Sequence, residues 1–441
     1  MSFFKTKKFQ VIALSGGQGM NSLISLAVAM VMARTLSKVD VAAYQQTLLA
    51  FTTLAPFLAL GLGQGIYFFL PVEEQRPRGR VFDALFLLGV MGLLFALFIL
   101  LGGNHLLAQN FSNPRVAELL LWMIPYGLVM VPANLHSAVL VAQKKPVLSS
   151  VVTLAIGLLV GLGTIIPLLL TKSVEQTLYA RVISSCVTGI CAIVLMLRST
   201  PIGEGGKLVD FSEVKRMLWF SFPIGIAAMI ASFNVQLDKI IIASLSSPEE
   251  FAVYQFGARE FPFLGMIAGA ITAVMIPDLR KAVVAKDFEK AASLFKTCAV
   301  KSSYLIFPLI FGIIIFDKQL AILLYGAEYA EAATPMRIYA LPLFIRIVVF
   351  GAALTALGLS KAVLARSLIA ITCNVLISIP AVIYFGPQGA AWSTVFVVMV
   401  ITVPISIVLL KKNLGCQLSD LLPIKYIAPL FVVAFIMVTI K

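Results

Sequence analysis

The chain is 441 residues long, 60% hydrophobic and 12% charged, with a formal net charge of +14. A soluble globular chain carries about 45–50% apolar and about 25% charged residues, so a soluble fold is excluded. The apolar residues also come in runs of about 20, the length that crosses a bilayer as a helix; a membrane β-barrel would show alternating segments of about ten.

The first run, 11–33, follows the basic flank "MSFFKTKKF". It is too long for the apolar core of a signal peptide and reads as the first membrane helix. Further runs fall at 41–71, 82–103, 117–141, 147–171, 175–197, 218–245, 252–277, 297–316, 336–358, 363–385 and 387–410, which makes twelve spans. A shorter thirteenth covers 424–440. The fold class is therefore an all-α polytopic membrane protein. The longest connectors, 198–217 and 278–296, are too short to hold a soluble enzyme domain. In the first of them, "DFSEVKRML" places Asp210 as a helix N-cap and Glu213 three residues on, the pattern of a capping box.

Lysine and arginine fix the expected orientation. With the N-terminus inside, the inner segments hold 23 of them and the outer segments 7, the bias of the positive-inside rule. This sorting accounts for the +14 charge, so no nucleic-acid partner is implied. Four cations lie inside spans: Arg181, Lys239, Arg259 and Arg346. The five cysteines (Cys186, Cys191, Cys298, Cys373, Cys416) lack metal-ligand spacing with a histidine, and no metal site or disulfide is expected.

Shifting the chain by 210 residues superimposes the spans. "DVAAYQQ" (40–46) then falls on "EFAVYQF" (250–256), with Tyr44 on Tyr254 and Gln45 on Gln255. A six-helix period returns the second half to the same side, which is a parallel repeat of the kind found in secondary transporters. Ten prolines within spans, among them Pro56, Pro125, Pro132 and Pro223, imply bent helices. The clusters "SGGQG" (15–19) and "GLGQG" (61–65) imply close helix approach.

The segments "LDKIIIASL" (237–245), "VYQFGAREFPFLGMIAGAITAVMIPDL" (253–279), "AKDFEKAASLF" (285–295) and "LLYGAEYAEAATPMRIYALP" (323–342) resemble, in order, the corresponding parts of polysaccharide-repeat-unit (O-antigen type) flippases. These belong to the multidrug/oligosaccharidyl-lipid/polysaccharide exporter superfamily, and the resemblance runs over about residues 8–412. It implies two six-helix bundles related by a pseudo-two-fold axis, set as a V: 1–200 and 218–412, joined by a linker at 201–217. The tail 413–441 departs from the twelve-helix plan as an extra C-terminal helix. The implied substrate is an undecaprenyl-pyrophosphate-linked oligosaccharide unit, moved by alternating access across the bacterial inner membrane. Membrane lipids and other polysaccharide-assembly proteins are the implied partners. No catalytic residue and no cofactor are implied beyond coupling to a proton or sodium gradient.

Arginine suits an anionic pyrophosphate because its fork donates two parallel hydrogen bonds. Arg34, Arg181, Arg259 and Arg346 are therefore the candidate substrate contacts, with Lys361 and Arg366 at the cytoplasmic entrance. Asp238, Lys239 and Glu260 are candidate coupling or ion-pair groups. Two readings stand for Arg259: a salt bridge with Asp238 across the seventh and eighth helices, with Lys239–Glu260 alongside, or direct substrate contact. A lone histidine such as His136 reads as a hydrogen-bonded packing residue. A multidrug antiporter shares the superfamily, as does a lipid II flippase, and both remain alternatives. The first two spans hold no acid, unlike many such antiporters, and the short outer loops exclude a polymerase or ligase.

Overall fold

The computed structural model describes residues 7–73, 75–203, 208–259, 275, 278–345, 347, 350, 353–354, 357–415 and 417–440. Everything regular among them is helix. In hydrocarbon each backbone polar group must be satisfied within its own segment, and only helices and closed barrels achieve that. Eight helices among the described residues are long and apolar enough to cross a membrane. The expected span 252–277 lies largely outside the described residues, and 336–358 lies partly outside them.

The chain divides into two compact units, Met1–Gln236 with Ser247–Ala252, and Leu237–Ser246 with Val253–Lys441. The first holds α1 (Lys7–Thr35), α2 (Lys38–Ala59), α3 (Leu62–Phe69), α4 (Pro77–Phe98), α5 (Asn104–Asn110), α6 (Arg115–Ala133), α7 (His136–Ala142), α8 (Pro146–Leu170) and α9 (Val174–Ser199). Helix α10 (Phe211–Leu245) belongs to it up to Gln236, so the division falls inside a helix, beyond the 201–217 linker.

Small residues set the packing of the first unit. Helices α1 and α8 lie side by side. A Cβ at Gly161 would stand 2.5 Å from Ile24 Cγ2, and one at Gly17 3.4 Å from the Ser150 carbonyl oxygen. Van der Waals contact through small residues is the main attraction between helices in lipid. Helix α2 ends on Leu60 and Gly61, both left-handed with φ of 50° and 68°. A Cβ on Gly61 would lie 2.6 Å from the Gly225 nitrogen, so α10 crosses this break backbone to backbone. The core beside it is aromatic: Phe51 meets Phe95 and Tyr126 edge-on, with centroids 5.4 and 4.8 Å apart.

Ion pairs tie the start of α10 to the start of α4. Arg76 holds Asp83 at 3.3 Å and Asp210 at 3.9 Å. Arg80 bridges Glu73 (2.6 Å) and Glu213 and lies over the Phe69 ring. Arg78 donates to the Thr200 carbonyl at 2.7 Å. Burial pushes the Glu73 carboxyl up, and hydrogen bonds from Arg80 and Arg76 more than offset it, holding it below the usual carboxylate range. The expected capping box is half formed. Asp210 accepts from the Ser212 N–H, but Glu213 turns to Arg80, and the Asp210 N–H donates to Asp83 instead. A buried guanidinium attracts the carboxylate more strongly than a backbone N–H does. Elsewhere in the unit, Arg115 pairs with Asp40 and Glu175 across three loops.

The second unit holds the end of α10 and part of α11 (Pro248–Gly257), then α12 (Phe288–Ile315), α13 (Asp317–Tyr325), α14 (Ala333–Ala340), α15 (Ser360–Phe396) and α16 (Val403–Leu414). Helix α15 bends at Gly386 (φ 62°, ψ −152°), the point that separates the two sequence-derived runs 363–385 and 387–410. Arg337 and Asp317 pair at 3.0 Å between α14 and α13. Rings fill the core: Phe256 stacks on Tyr325 at 4.6 Å, and Phe344 meets Phe307 and Phe431 at 5.0 and 5.8 Å. Phe431 is carried by α17 (Ile424–Ile440), so the extra C-terminal helix docks on this unit. The four described cysteines are free.

Candidate functional site

A cavity of about 300 Å³ lies within the first unit, among α1, α6, α8 and α9. Its polar wall includes Asn21, Tyr126, Asn134, His136, Thr153 and Arg181. Among the described residues no carboxylate lines it.

Local sequence explains each wall. Asn21 fits because position 157 is glycine: a Cβ there would stand 1.8 Å from Asn21 Oδ1. The Asn21 amide donates to the Thr153 carbonyl at 3.2 Å, while its Oδ1 is buried without a partner. Pro132 precedes the break between α6 and α7, and His136 opens α7 there. Its Nδ1 meets the Ala133 carbonyl at 2.9 Å and its Nε2 the Thr153 hydroxyl at 3.2 Å. His136 is thus the hydrogen-bonded residue expected, and it also lines the cavity. Tyr126 is set by its edge contact with Phe51. Arg181, two turns into α9, stands in the field of the Tyr44 and Tyr126 hydroxyls. Arg181 Nε is sealed from solvent and makes no hydrogen bond of its own. Buried donors and acceptors left unpaired are costly and uncommon, so the wall is built to receive polar groups.

The second unit carries the opposite charge. Asp238, 5% exposed, accepts from the Tyr254 hydroxyl at 2.9 Å and from the Tyr339 hydroxyl, both on Oδ2. The two hydroxyls are 3.0 Å apart. Asp238 makes no ion pair among the described residues, so the expected Asp238–Arg259 bridge is corrected. Helix α10 ends at Leu245 and α11 begins at Pro248, which centres the turn nearer the start of the chain than the 248 assumed from sequence. Tyr254 then stands level with Asp238, and Arg259 is about four residues, or roughly 6 Å, deeper. Arg259 is instead close to Tyr325.

The other predicted residues are dispersed. Arg34 is exposed in the last turn of α1, thirteen residues past Asn21 and so about 20 Å along the helix from it. Lys239 is half-buried without an ion pair among the described residues. Glu260 and Arg346 lie outside the described residues. Lys361 is exposed, while Arg366 turns inward and donates to the Ser406 hydroxyl at 2.7 Å. Of the three described candidate substrate arginines, Arg181 alone lines the cavity. Sequence reasoning did not single out Tyr44, Tyr254 and Tyr339 for these sites. The register of the repeat was a signal for two of them, since it superimposes Tyr44 on Tyr254.

A family model described as polysaccharide biosynthesis protein matches residues 31–334, more than half of the chain. The chain belongs to the polysaccharide biosynthesis protein family. Among curated proteins, this family member is 20% identical over 190 residues to a probable low-salt glycan biosynthesis flippase, Agl15, of Haloferax volcanii. That match spans 43% of this chain and 40% of the relative. Its fold is that of MOP-superfamily membrane transporters. It matches the inward-facing conformation of a multidrug resistance MATE family transporter with a TM-score of 0.71 and 16% identity, covering 92% of this chain and 98% of that one. The outward-facing conformation matches with a TM-score of 0.65 at 15% identity, covering 92% and 96%. A Pyrococcus furiosus MOP-superfamily transporter, for which reverse polarity of the binding pocket suggests a different function, matches with a TM-score of 0.62 at 15% identity, covering 93% and 97%. The fold is one shared with these multi-pass membrane transporters.

Proposed function

We propose that the protein is a flippase that carries undecaprenyl-pyrophosphate-linked oligosaccharide units from the inner to the outer leaflet of the bacterial inner membrane, by alternating access, with its N-terminus in the cytoplasm. The observation that carries this reading is the cavity of the first unit, lined by Arg181 and by no carboxylate among the described residues, in a member of a polysaccharide family. A cavity whose one charge among the described residues is a cation attracts an anionic glycan and repels a cationic drug. Drug export is the reading favoured by the multidrug fold relatives, and that sign of charge opposes it. Arg34, Arg259 and Arg346 are the proposed contacts for the pyrophosphate.

Asp238 is the proposed coupling group. A buried carboxylate flanked by two phenols, with no cation among its described neighbours, is costly in a membrane unless it takes up a proton or a metal cation. Binding a proton or sodium ion there would link the gradient to transport. The reading accounts for the family match, the membrane fold and the two opposite buried charges together.

Deleting the gene tests it. The expected result is loss of surface polysaccharide with lipid-linked units accumulating inside, both restored by the wild-type gene. Normal polysaccharide with raised sensitivity to cationic drugs would overturn it in favour of the antiporter.

A further inference from the structure

The first-unit cavity is specific in size, charge and polarity, and these three properties together narrow its ligand. Its volume of about 300 Å³ equals roughly ten water molecules at about 30 Å³ each. That is the size of one pyranose ring with its substituents. The space therefore suits one sugar residue of a longer glycan.

Its walls are those of a sugar site. Asn21 and Asn134 offer amides, Thr153 and Ser185 offer hydroxyls, and Tyr126 offers a ring against which a sugar's C–H face can lie. Asn21 Oδ1 is a buried acceptor without a partner, matched to a sugar hydroxyl. Arg181 Nε is a buried donor without a partner, matched to an anionic oxygen. An arginine fork donates in parallel to both oxygens of a carboxylate.

Charge decides between carboxylate and pyrophosphate. Among the described residues Arg181 is the one arginine or lysine in the cavity wall. One cation neutralises one carboxylate. A pyrophosphate diester carries two negative charges, and one of them would be left uncompensated inside the bundle, where an unpaired charge costs several kcal/mol.

We infer that this cavity binds a single acidic sugar residue of the glycan, of the hexuronic acid class, with Arg181 holding its carboxylate. The inference rests on the flippase reading and deepens it. The cavity selects the cargo by one sugar, and the lipid pyrophosphate is held elsewhere. Gly157 is then a specificity-determining position, because its missing side chain is what lets Asn21 face the ring.

The test uses the full chain in lipid nanodiscs, with glucuronic acid, its methyl ester, glucose and inorganic pyrophosphate as probes in saturation-transfer NMR titrations. The expected result is saturable binding of glucuronate in the millimolar range natural to so small a ligand. The methyl ester and glucose should bind at least tenfold more weakly, and pyrophosphate should compete less well than glucuronate. Arg181→Gln should lower glucuronate to the level of glucose. The wild-type probe series decides the matter even if that variant does not fold. Equal binding of glucuronate and its methyl ester, stronger competition by pyrophosphate, or no saturable glucuronate binding would each overturn the inference. Failure of the flippase reading looks different: polysaccharide would be normal in the deletion strain while glucuronate still bound the purified protein.

Discussion

Replacing Arg80 by glutamine should destabilise the first unit by about 2–3 kcal/mol. The Arg80 side chain is 7% exposed and bridges Glu73 and Glu213. Removing one partner of a fully buried pair costs about 3–5 kcal/mol, because the remaining charge is left without compensation. Here the two carboxylates are 16% and 25% exposed, and water can reach them, which lowers the figure. The lost contact with the Phe69 ring, 5.4 Å from the guanidinium carbon, adds about 0.5–1 kcal/mol. At roughly 2–4 °C per kcal/mol for a unit of this size, the melting midpoint in detergent should fall by about 5–10 °C. A double-mutant cycle with Glu213→Gln should return a coupling of about 1–2 kcal/mol. Arg198→Gln is the control, since Arg198 is exposed without an ion pair among the described residues, and its cost should stay within about 0.5 kcal/mol. A midpoint for Arg80→Gln equal to that of the control, or a coupling near zero, would refute the claim that this network fastens the linker to the first unit.

Other outcomes follow from the same geometry. Because Glu73 has a lowered pKa in the folded state, its stabilisation is fully present above its ordinary value of 4.5 and is lost as the pH falls through the lowered one; melting midpoints measured from pH 8 to pH 3 should be level and then drop, with Glu73→Gln flattening the drop. Gly61→Ala should cost about 3 kcal/mol or more by thermal melting, combining about 1–2 kcal/mol for the left-handed backbone with a clash against the Gly225 backbone. Tyr254→Phe removes a donor from Asp238 and should cost about 1.5–3 kcal/mol of stability. Asp238→Asn should uncouple translocation from the proton or sodium gradient in proteoliposomes, while gradient-driven transport at the wild-type rate would remove Asp238 from the coupling role.

Much of the scaffold was legible in the sequence because membrane spans follow from composition alone. Run length gave the helices, Gly386 separated two of them, and residues 424–440 were visible as an additional one. The 210-residue register placed Tyr44 on Tyr254, and in the structure both are buried, 1% exposed, Tyr44 beside the half-buried Arg181 and Tyr254 beside the buried Asp238. The same register puts Asp238 on Val28, which lines the first-unit cavity. The two halves thus carry unlike charges on a shared framework.

The site itself was less legible. Asp238 and Tyr339 are 101 residues apart, and no spacing rule connects them. Arg76, Arg78 and Arg80 resembled ordinary topology-setting cations, because their partners Asp210, the Thr200 carbonyl and Glu213 come from a connector more than 120 residues later. The Asp238–Arg259 pairing failed on the position of the turn by about two residues. Such an error is small on the scale of a span, yet it changes which side chain lies level with Asp238. The cavity depended on Gly157, whose role appears only when Asn21 is seen against it.

The most direct test of the central claim is translocation of a defined cargo. Purified protein in proteoliposomes would be supplied with a fluorescent polyprenyl-pyrophosphate glycan that ends in a hexuronic acid, and outer-leaflet exposure would be followed by enzymatic capture. The account predicts gradient-dependent exposure that is lost with Asp238→Asn and sharply slowed with Arg181→Gln. Exposure at the rate of protein-free liposomes, alongside gradient-driven efflux of a cationic dye, would contradict it.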